Sequence, residues 1–306
     1  MSYLRAFGFH VPERIVENAE VAAAVGTDPA WILQASGIEQ RRFAAADETV
    51  ATLGVRAARN CLAGIDPAEV GLVLAASGSA ERRFPGPAAA IASAIGIPGV
   101  PAIDLPMASA GSLFGIALAA QLTGTYRNVL VVASEVMSRT ICLDPACRDT
   151  AILFGDGAGA CLVSAGNGTP QVIDAVLHSD GEFADALALG LDGPLHMDGR
   201  TIILQASRKL PRAIREVLDR NQRQVADVSA FLLHQANLNL LTRVAQSLQV
   251  PEQKFYRNLQ RYGNTSSASL LIAAAEHRRE GGFREPTVLA AFGAGLHWGA
   301  LLIGPT

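Results

Sequence analysis

Short runs of Val, Leu, Ile and Ala recur along the chain: "VGLVLAAS" (70–77), "RNVLVVAS" (127–134), "GACLVSA" (159–165), "VSAFLLH" (228–234), "TVLAAFG" (287–293) and "GALLIG" (299–304). Most are apolar at consecutive rather than alternate positions, the pattern of strands buried on both faces. Longer stretches with helical spacing lie between them, such as 49–65 and 206–222. Strands alternating with helices predict an α/β protein built in layers. A cluster of loop-forming residues, "SAGNGTP" (164–170), divides the chain near its middle. Each side carries strands, helices and a Gly/Ala-rich stretch, so two similar halves are expected, 1–165 and 166–306.

Composition narrows the class. Half of the 306 residues are apolar and 17% are charged, enough to build a large buried core. A formal net charge of −3 provides no general basic field, so nucleic acid is not an expected partner. The opening "MSYLRAFGFHVPERI" lacks the order of basic, apolar and small residues that marks a secretory signal. The apolar stretch around Pro101, Asp104 and Pro106 is too interrupted for a membrane helix, and no membrane partner is expected. Cys61, Cys142, Cys147 and Cys161 form no CxxC pair and no disulfide framework, which points to the cytoplasm and reduced thiols.

Candidate chemistry is confined to a few stretches. In "FGDGAGACLV" (154–163), Gly155, Gly157 and Ala160 imitate a dinucleotide-binding turn. That motif needs a helix after its glycines, whereas a strand-like run follows here, so a tight turn at a packed junction is expected. In "LLHQAN" (232–237), His234 ends an apolar strand, where a histidine either works in a cavity or is a satisfied core side chain. In "RYGNTSSASL" (261–270), Asn264 and Thr265 suit a turn and N-cap as well as a site. The glycine-rich "AFGAGLHWGALLI" (291–303) either aims backbone N–H groups at an oxyanion or closes a hairpin. "PMASAGSLFG" (106–115) runs from a strand end into a small-residue buried helix, with Ser109 at its centre. The histidines and cysteines have no metal-ligand spacing, and Trp31 alone reads as core.

Taken in order, "FPGPAAAIASAIGI", "AIDLPMASAGS", "ASEVMSRT", "ILFGDGAGA", "HQANLNLL", "YGNTSSAS" and "FGAGLHWGALL" resemble the thiolase superfamily. Within it the resemblance is to the type III β-ketoacyl-acyl-carrier-protein synthases, over nearly the whole length. It implies a five-layered αβαβα fold of two pseudo-symmetric halves and a homodimer. The implied reaction is acyl transfer from acyl-coenzyme A to residue 109, then decarboxylative Claisen condensation with a malonyl thioester, in fatty acid or polyketide biosynthesis. Acyl-coenzyme A and the malonyl thioester are substrates, and no cofactor or metal is implied. By the same resemblance, His234 and Asn264 hydrogen-bond the malonyl thioester carbonyl and stabilise the enolate. The N–H groups of Ser109 and Ala294 form the oxyanion hole, and Trp31 and Arg148 sandwich the adenine of coenzyme A. Phe84 crosses the dimer interface to bound the partner's acyl pocket.

One departure is chemically large: the family's nucleophile is a cysteine, and this chain has Ser109 between Asp104 and Gly111. A thiol starts with a pKa near ~8.5 and becomes a thiolate at a helix N-terminus beside a histidine. An aliphatic hydroxyl starts several units higher, and a helix dipole contributes at most about 2 kcal/mol, or about 1.5 units. Ser109 therefore attacks only if His234 takes its proton in the transition state. An acyl ester is also a poorer electrophile than a thioester, whereas decarboxylation does not need the thiol.

Three readings of Ser109 stay open. It is an engineered Cys→Ser substitution, a natural nucleophile that passes acyl groups onward, including to an oxygen or nitrogen acceptor, or a structural residue in a non-catalytic partner subunit. The intact HQAN and GNTS stretches argue against the last. Docking to an acidic acyl carrier protein is expected to be weakened. Basic residues of the family are replaced by Asn239, Gln246 and Ser247 after HQAN, and by Ala35 near Trp31. Arg208, Lys209, Arg212 and Arg215 form either a substitute basic face or a solvated helix side.

Overall fold

In the computed structural model, which describes residues 1–166 and 168–305, the main strands are β1 (Ser2–His10), β2 (Leu72–Ala76), β3 (Ala102–Leu105), β4 (Asn128–Glu135), β5 (Gly157–Ala165), β6 (Gln171–Ser179), β7 (Ala230–Leu233), β8 (Thr287–Gly293) and β9 (His297–Gly304). The principal helices are α1 (Val50–Cys61), α2 (Ala88–Ala94), α3 (Gly111–Tyr126), α4 (Gly199–Arg220), α5 (Leu238–Leu248) and α6 (Ala268–Arg279). Hydrogen bonding orders the strands β7-β8-β9-β6-β1-β5-β4-β2-β3. The seam in the middle is thin, because β1 meets β6 only at Ser2–Val172 and Tyr3–Gln171.

The two sides of that seam repeat one connectivity. On the first, β3, β2 and β4 run parallel, β5 is antiparallel to β4, and β1 is antiparallel to β5. On the second, Phe255 bridges to Phe231 of β7 in parallel, and β7 runs parallel to β8. There β9 is antiparallel to β8, and β6 is antiparallel to β9. The helices repeat as well: α1, α2 and α3 follow β1, β2 and β3, while α4, α5 and α6 follow β6, β7 and the Phe255 segment.

Alternate side chains of each strand reach different layers. Leu72 and Leu74 of β2, Val131 of β4 and Leu289 of β8 pack with Leu113 and Ile116 of α3 and Leu271 of α6. The intervening Val73, Leu130 and Val132 pack with Val50 and Leu53 of α1 and Ile91 of α2. Phe231, Val288 and Ala290 pack with Leu210 and Ile214 of α4 and Leu241 of α5. The result is the five-layered αβαβα thiolase fold: α1/α2, sheet, α3/α6, sheet, α4/α5. Strands covered on both faces explain the consecutive apolar positions in the sequence. A helix between two sheets must be apolar all round, and every residue of α6 from Ala268 to Glu276 is buried.

The expected strand at 287–293 coincides with β8, and the expected helix at 206–222 starts earlier, at Gly199. Its true start is set by Asp198, whose carboxylate accepts the Thr201 N–H at 3.1 Å as an N-cap. Mixed polarity hid β1 ("SYLRAFGFH") from the hydrophobic pattern. The loop expected at 164–170 includes Asn167, which lies outside the described residues. Among the described residues, no helix is long and apolar enough to cross a membrane.

Candidate active site

Between β3 and α3 the chain makes a sharp elbow. Before it, the Asp104 carboxylate accepts the Ala88 N–H at 2.8 Å and ties the end of β3 to the start of α2. At its apex the Ala110 N–H bonds back to the Ala108 carbonyl at 2.6 Å, closing a three-residue turn with Ser109 at φ 59°. Left-handed backbone at a residue with a Cβ costs about 1–3 kcal/mol and persists only where surroundings enforce it. Neighbouring glycines supply that enforcement by allowing close approach. A Cβ on Gly293 would overlap the Ala108 carbonyl, and one on Gly111 would come within 2.8 Å of the Ala76 Cβ. Ser109 is buried, and its N–H donates to Ser266 Oγ at 3.0 Å.

His234 extends β7 by one residue, its N–H donating to the Ala290 carbonyl at 2.9 Å. The residues after it hold the corner. Gln235 donates through Nε2 to the carbonyls of Leu233 (2.8 Å) and Tyr256 (3.1 Å) and accepts the Asn258 N–H at 3.0 Å. Asn237 caps α5 by accepting the Asn239 N–H at 2.8 Å. His234 Nδ1 lies 2.6 Å from Ser269 Oγ. Burial pushes the His234 pKa down to about 4, with a backbone hydrogen bond at Ser266 opposing it, so the ring is neutral at pH 7.

Asn264 is gripped by the FGDG stretch: its N–H donates to the Leu153 carbonyl at 2.9 Å, and its own carbonyl accepts the Gly155 N–H at 3.0 Å. A Cβ on Gly155 would collide with the Tyr262 carbonyl, so this glycine serves the close approach of two chain segments, as expected for a packed junction. Asn264 Oδ1 accepts the Ser266 N–H at 2.9 Å, which leaves the side-chain NH2 as its donor toward the cavity.

Sequence reasoning missed Glu135, a fully buried carboxylate near this turn. It accepts from Ser79 Oγ (2.5 Å), Ser267 Oγ (2.6 Å), Ser77 Oγ (3.2 Å) and the Gly78 N–H (3.0 Å). Its partners are spread over distant segments, so only the acidic end of an apolar strand signals it in the sequence. These bonds fasten the start of α6 to the ends of β2 and β4.

Ser109, His234 and Asn264 face one cavity with apolar walls that include Phe154, Met197, Ile203, Leu240 and Phe292. Among the described residues, Ser109 Oγ makes no hydrogen bond, and no carboxylate touches His234. The side-chain partner of His234 is a serine hydroxyl. No hydrogen bond joins Ser109 to His234 here, and the cavity is lined by a neutral imidazole and a primary amide, both of which can donate to an oxygen atom.

The remaining sequence-derived residues fall as follows. The Ser109 N–H, expected to face an oxyanion, is occupied by Ser266 Oγ in this structure. Ala294 sits in the turn between β8 and β9, next to Gly293, which presses on the elbow. Trp31 and Arg148 do come together, with the guanidinium carbon 4.7 Å from the ring centroid, so a flat ring enters between them only when they part. Phe84 is 84% exposed and lies outside the wall of the Ser109 cavity. Lys209 fits neither alternative expected for its cluster, a substitute basic face or a solvated helix side. It turns inward, bonding Asp180 at 2.6 Å and lying 4.0 Å from the Trp298 ring, while Arg208, Arg212 and Arg215 are exposed. Asn239, at a docking position of the family, donates instead to the Ala35 carbonyl at 3.0 Å.

Comparison with known proteins agrees along the chain. A family model described as 3-oxoacyl-[acyl-carrier-protein] synthase III matches residues 103–181, and its C-terminal companion matches 218–304. A β-ketoacyl-[acyl-carrier-protein] synthase III of Vibrio vulnificus (strain YJ016) is 36% identical over 309 residues, covering 97% of each chain. The crystal structure of the 3-oxoacyl-[acyl-carrier-protein] synthase III of Aquifex aeolicus VF5 superposes with a TM-score of 0.95 at 31% identity, covering 99% of this chain and 100% of that one. The priming β-ketosynthase of the R1128 polyketide pathway superposes with a TM-score of 0.92 at 35% identity, covering 100% and 96%.

Proposed function

Because the chain belongs to the 3-oxoacyl-[acyl-carrier-protein] synthase III family, we propose that it takes an acyl group from acyl-coenzyme A onto residue 109 and condenses it with a malonyl thioester. The observation that carries this is the meeting of Ser109, His234 and Asn264 in one apolar cavity. Ser109 Oγ attacks the acyl thioester and coenzyme A leaves as the thiol. The malonyl thioester then enters with its carbonyl toward the His234 ring and the Asn264 NH2. As CO2 departs, the C–C bonding pair becomes an enolate whose oxygen these donors stabilise. The enolate carbon attacks the acyl carbonyl on residue 109, the C–O bond to Ser109 breaks to release the 3-oxoacyl product, and the Ser109 oxygen takes a proton from solvent water in place of the one that left with coenzyme A.

The two halves of this chemistry are unequally equipped. A neutral histidine without a carboxylate suits hydrogen bonding to a carbonyl oxygen and is a weak base, so the decarboxylating half is the stronger one. The unactivated Ser109 hydroxyl limits acylation, which an engineered Cys→Ser substitution would also produce. Transfer to an oxygen or nitrogen acceptor is the second reading, and it would need His234 as that base, which the Ser269 hydroxyl on Nδ1 favours less than hydrogen-bond donation from Nε2.

The repeated strand order supports two halves, 1–165 and 166–306. Trp31 and Arg148 suit the adenine of coenzyme A. The exposed Phe84, together with β3 at the open edge of the sheet, fits a homodimer in which Phe84 reaches the partner's acyl pocket. Carrier-protein docking is weakened where Asn239 is tied to Ala35.

Incubation with acyl-coenzyme A and malonyl-coenzyme A, with CO2 release and products followed by mass spectrometry, tests the proposal. Expected are CO2 release by the chain as it stands and a 3-oxoacyl product rising strongly in Ser109→Cys. Neither CO2 release nor an acyl adduct in either protein would overturn it.

A further inference from the structure

Ser269 is the second residue of α6 and is 2% exposed. Its Oγ lies 2.6 Å from His234 Nδ1 and 3.1 Å from the backbone nitrogen of Gln235. Among the described residues these are its only side-chain hydrogen bonds. A backbone N–H can only donate, so Gln235 occupies one lone pair of the hydroxyl oxygen. Among the described residues the hydroxyl proton then has a single acceptor within hydrogen-bond distance, His234 Nδ1, and the Ser266 backbone beside the ring makes no hydrogen bond of ordinary geometry with either ring nitrogen. With Nδ1 carrying the ring proton instead, the serine proton would be a buried donor without a partner, an arrangement folded proteins avoid.

From this geometry we infer that Ser269 is a positioning residue for His234, its hydroxyl donating to Nδ1 and thereby keeping the proton of the neutral imidazole on Nε2. The consequence for catalysis rests on the functional reading above, in which His234 faces the malonyl thioester carbonyl. In this tautomer Nε2–H donates to the carbonyl oxygen and strengthens its hold as charge moves onto the enolate. In the other, an Nε2 lone pair would face that oxygen and repel it. The hydrogen bond at the far nitrogen thus decides what the near nitrogen offers, as a carboxylate does in a hydrolase triad, but with the opposite outcome. A protonated Nε2 also cannot accept the Ser109 proton, so, contrary to the expectation from sequence, acylation of Ser109 has the departing coenzyme A sulfur as its proton acceptor, which makes it slow and separates this site from a serine hydrolase.

The test is nitrogen-15 NMR of the full chain labelled at histidine, where long-range proton–nitrogen correlations distinguish Nε2–H from Nδ1–H, with His234→Ala assigning the signals. The wild-type chain is expected to show the Nε2–H pattern, Ser269→Ala to lose it, and Ser269→Thr to keep it. Malonyl-coenzyme A decarboxylation is expected to fall about tenfold in kcat in Ser269→Ala, with KM little changed, and to return in Ser269→Thr. An Nδ1–H pattern in the wild-type chain overturns the inference, and so does an unchanged tautomer in a folded Ser269→Ala. If Ser269→Ala fails to fold, the wild-type spectrum alone decides. If the wild-type chain releases no CO2, the functional reading fails while the spectrum still settles the tautomer.

Discussion

Ser109 and Ser266, the non-glycine residues of the site with left-handed backbone (φ 59° and 47°), are joined by a 3.0 Å hydrogen bond from the Ser109 N–H to Ser266 Oγ. The bond spans 157 residues of sequence, so each strained turn is braced by the other across the pseudo-symmetric halves. It also means that an oxyanion seated on the Ser109 N–H must displace the Ser266 hydroxyl.

Removing that hydroxyl leaves a buried N–H without a partner. Ser266→Ala is expected to lower stability by about 1–3 kcal/mol in urea unfolding. A change within experimental error would show that the bond does not brace the elbow.

The strain at residue 109 is itself measurable. Ser109 Oγ makes no hydrogen bond among the described residues, so Ser109→Gly sacrifices little and gains freedom at φ 59°. It is expected to be more stable than the wild-type chain by about 1 kcal/mol and incapable of acylation. Denaturant midpoints decide the point, and a destabilised Ser109→Gly would tell against a strained elbow.

Burial holds the His234 pKa at about 4, below the ordinary histidine value, so the unfolded chain binds this proton at a higher pH than the folded one. The stability this provides is present above pH ~6.5 and is lost as pH falls toward 4. His234→Ala should therefore lose about 3 kcal/mol less than the wild-type chain between pH 7 and pH 4. Partly buried histidines, His277 among them, shift in the same direction and cancel in that difference.

Arg148 is exposed and stacks on Trp31, and neither residue lines the cavity that Ser109, His234 and Asn264 face. Arg148→Ala is expected to raise the KM for acyl-coenzyme A about tenfold while leaving malonyl decarboxylation kcat unchanged. Equal effects on both would place Arg148 in the chemistry rather than in nucleotide binding.

Much of this was legible in one dimension because it is local. β8 is readable at 287–293 since both faces of that strand are buried and every position is apolar. His234 and Asn264 are readable because each sits in a short stretch whose neighbours hold the corner: Gln235 and Asn237 around one, Ser266 around the other. Ser269 was present in the quoted "YGNTSSAS", yet nothing local says that its hydroxyl meets a ring 35 residues away.

The sequence by itself determined the layered α/β class, the family, and the short stretches in which the candidate residues Ser109, His234 and Asn264 lie. Hydrophobic period and motif order are properties of neighbouring residues, and they survive without coordinates. Tertiary structure alone decided how those side chains are partnered. It placed Ser269, and no carboxylate, on His234, set Ser266 on the Ser109 N–H, turned Lys209 inward to Asp180, and buried Glu135 near the GNTS turn. Each is a polar contact between segments far apart in the chain, made because a buried polar group must find a partner wherever the fold brings one.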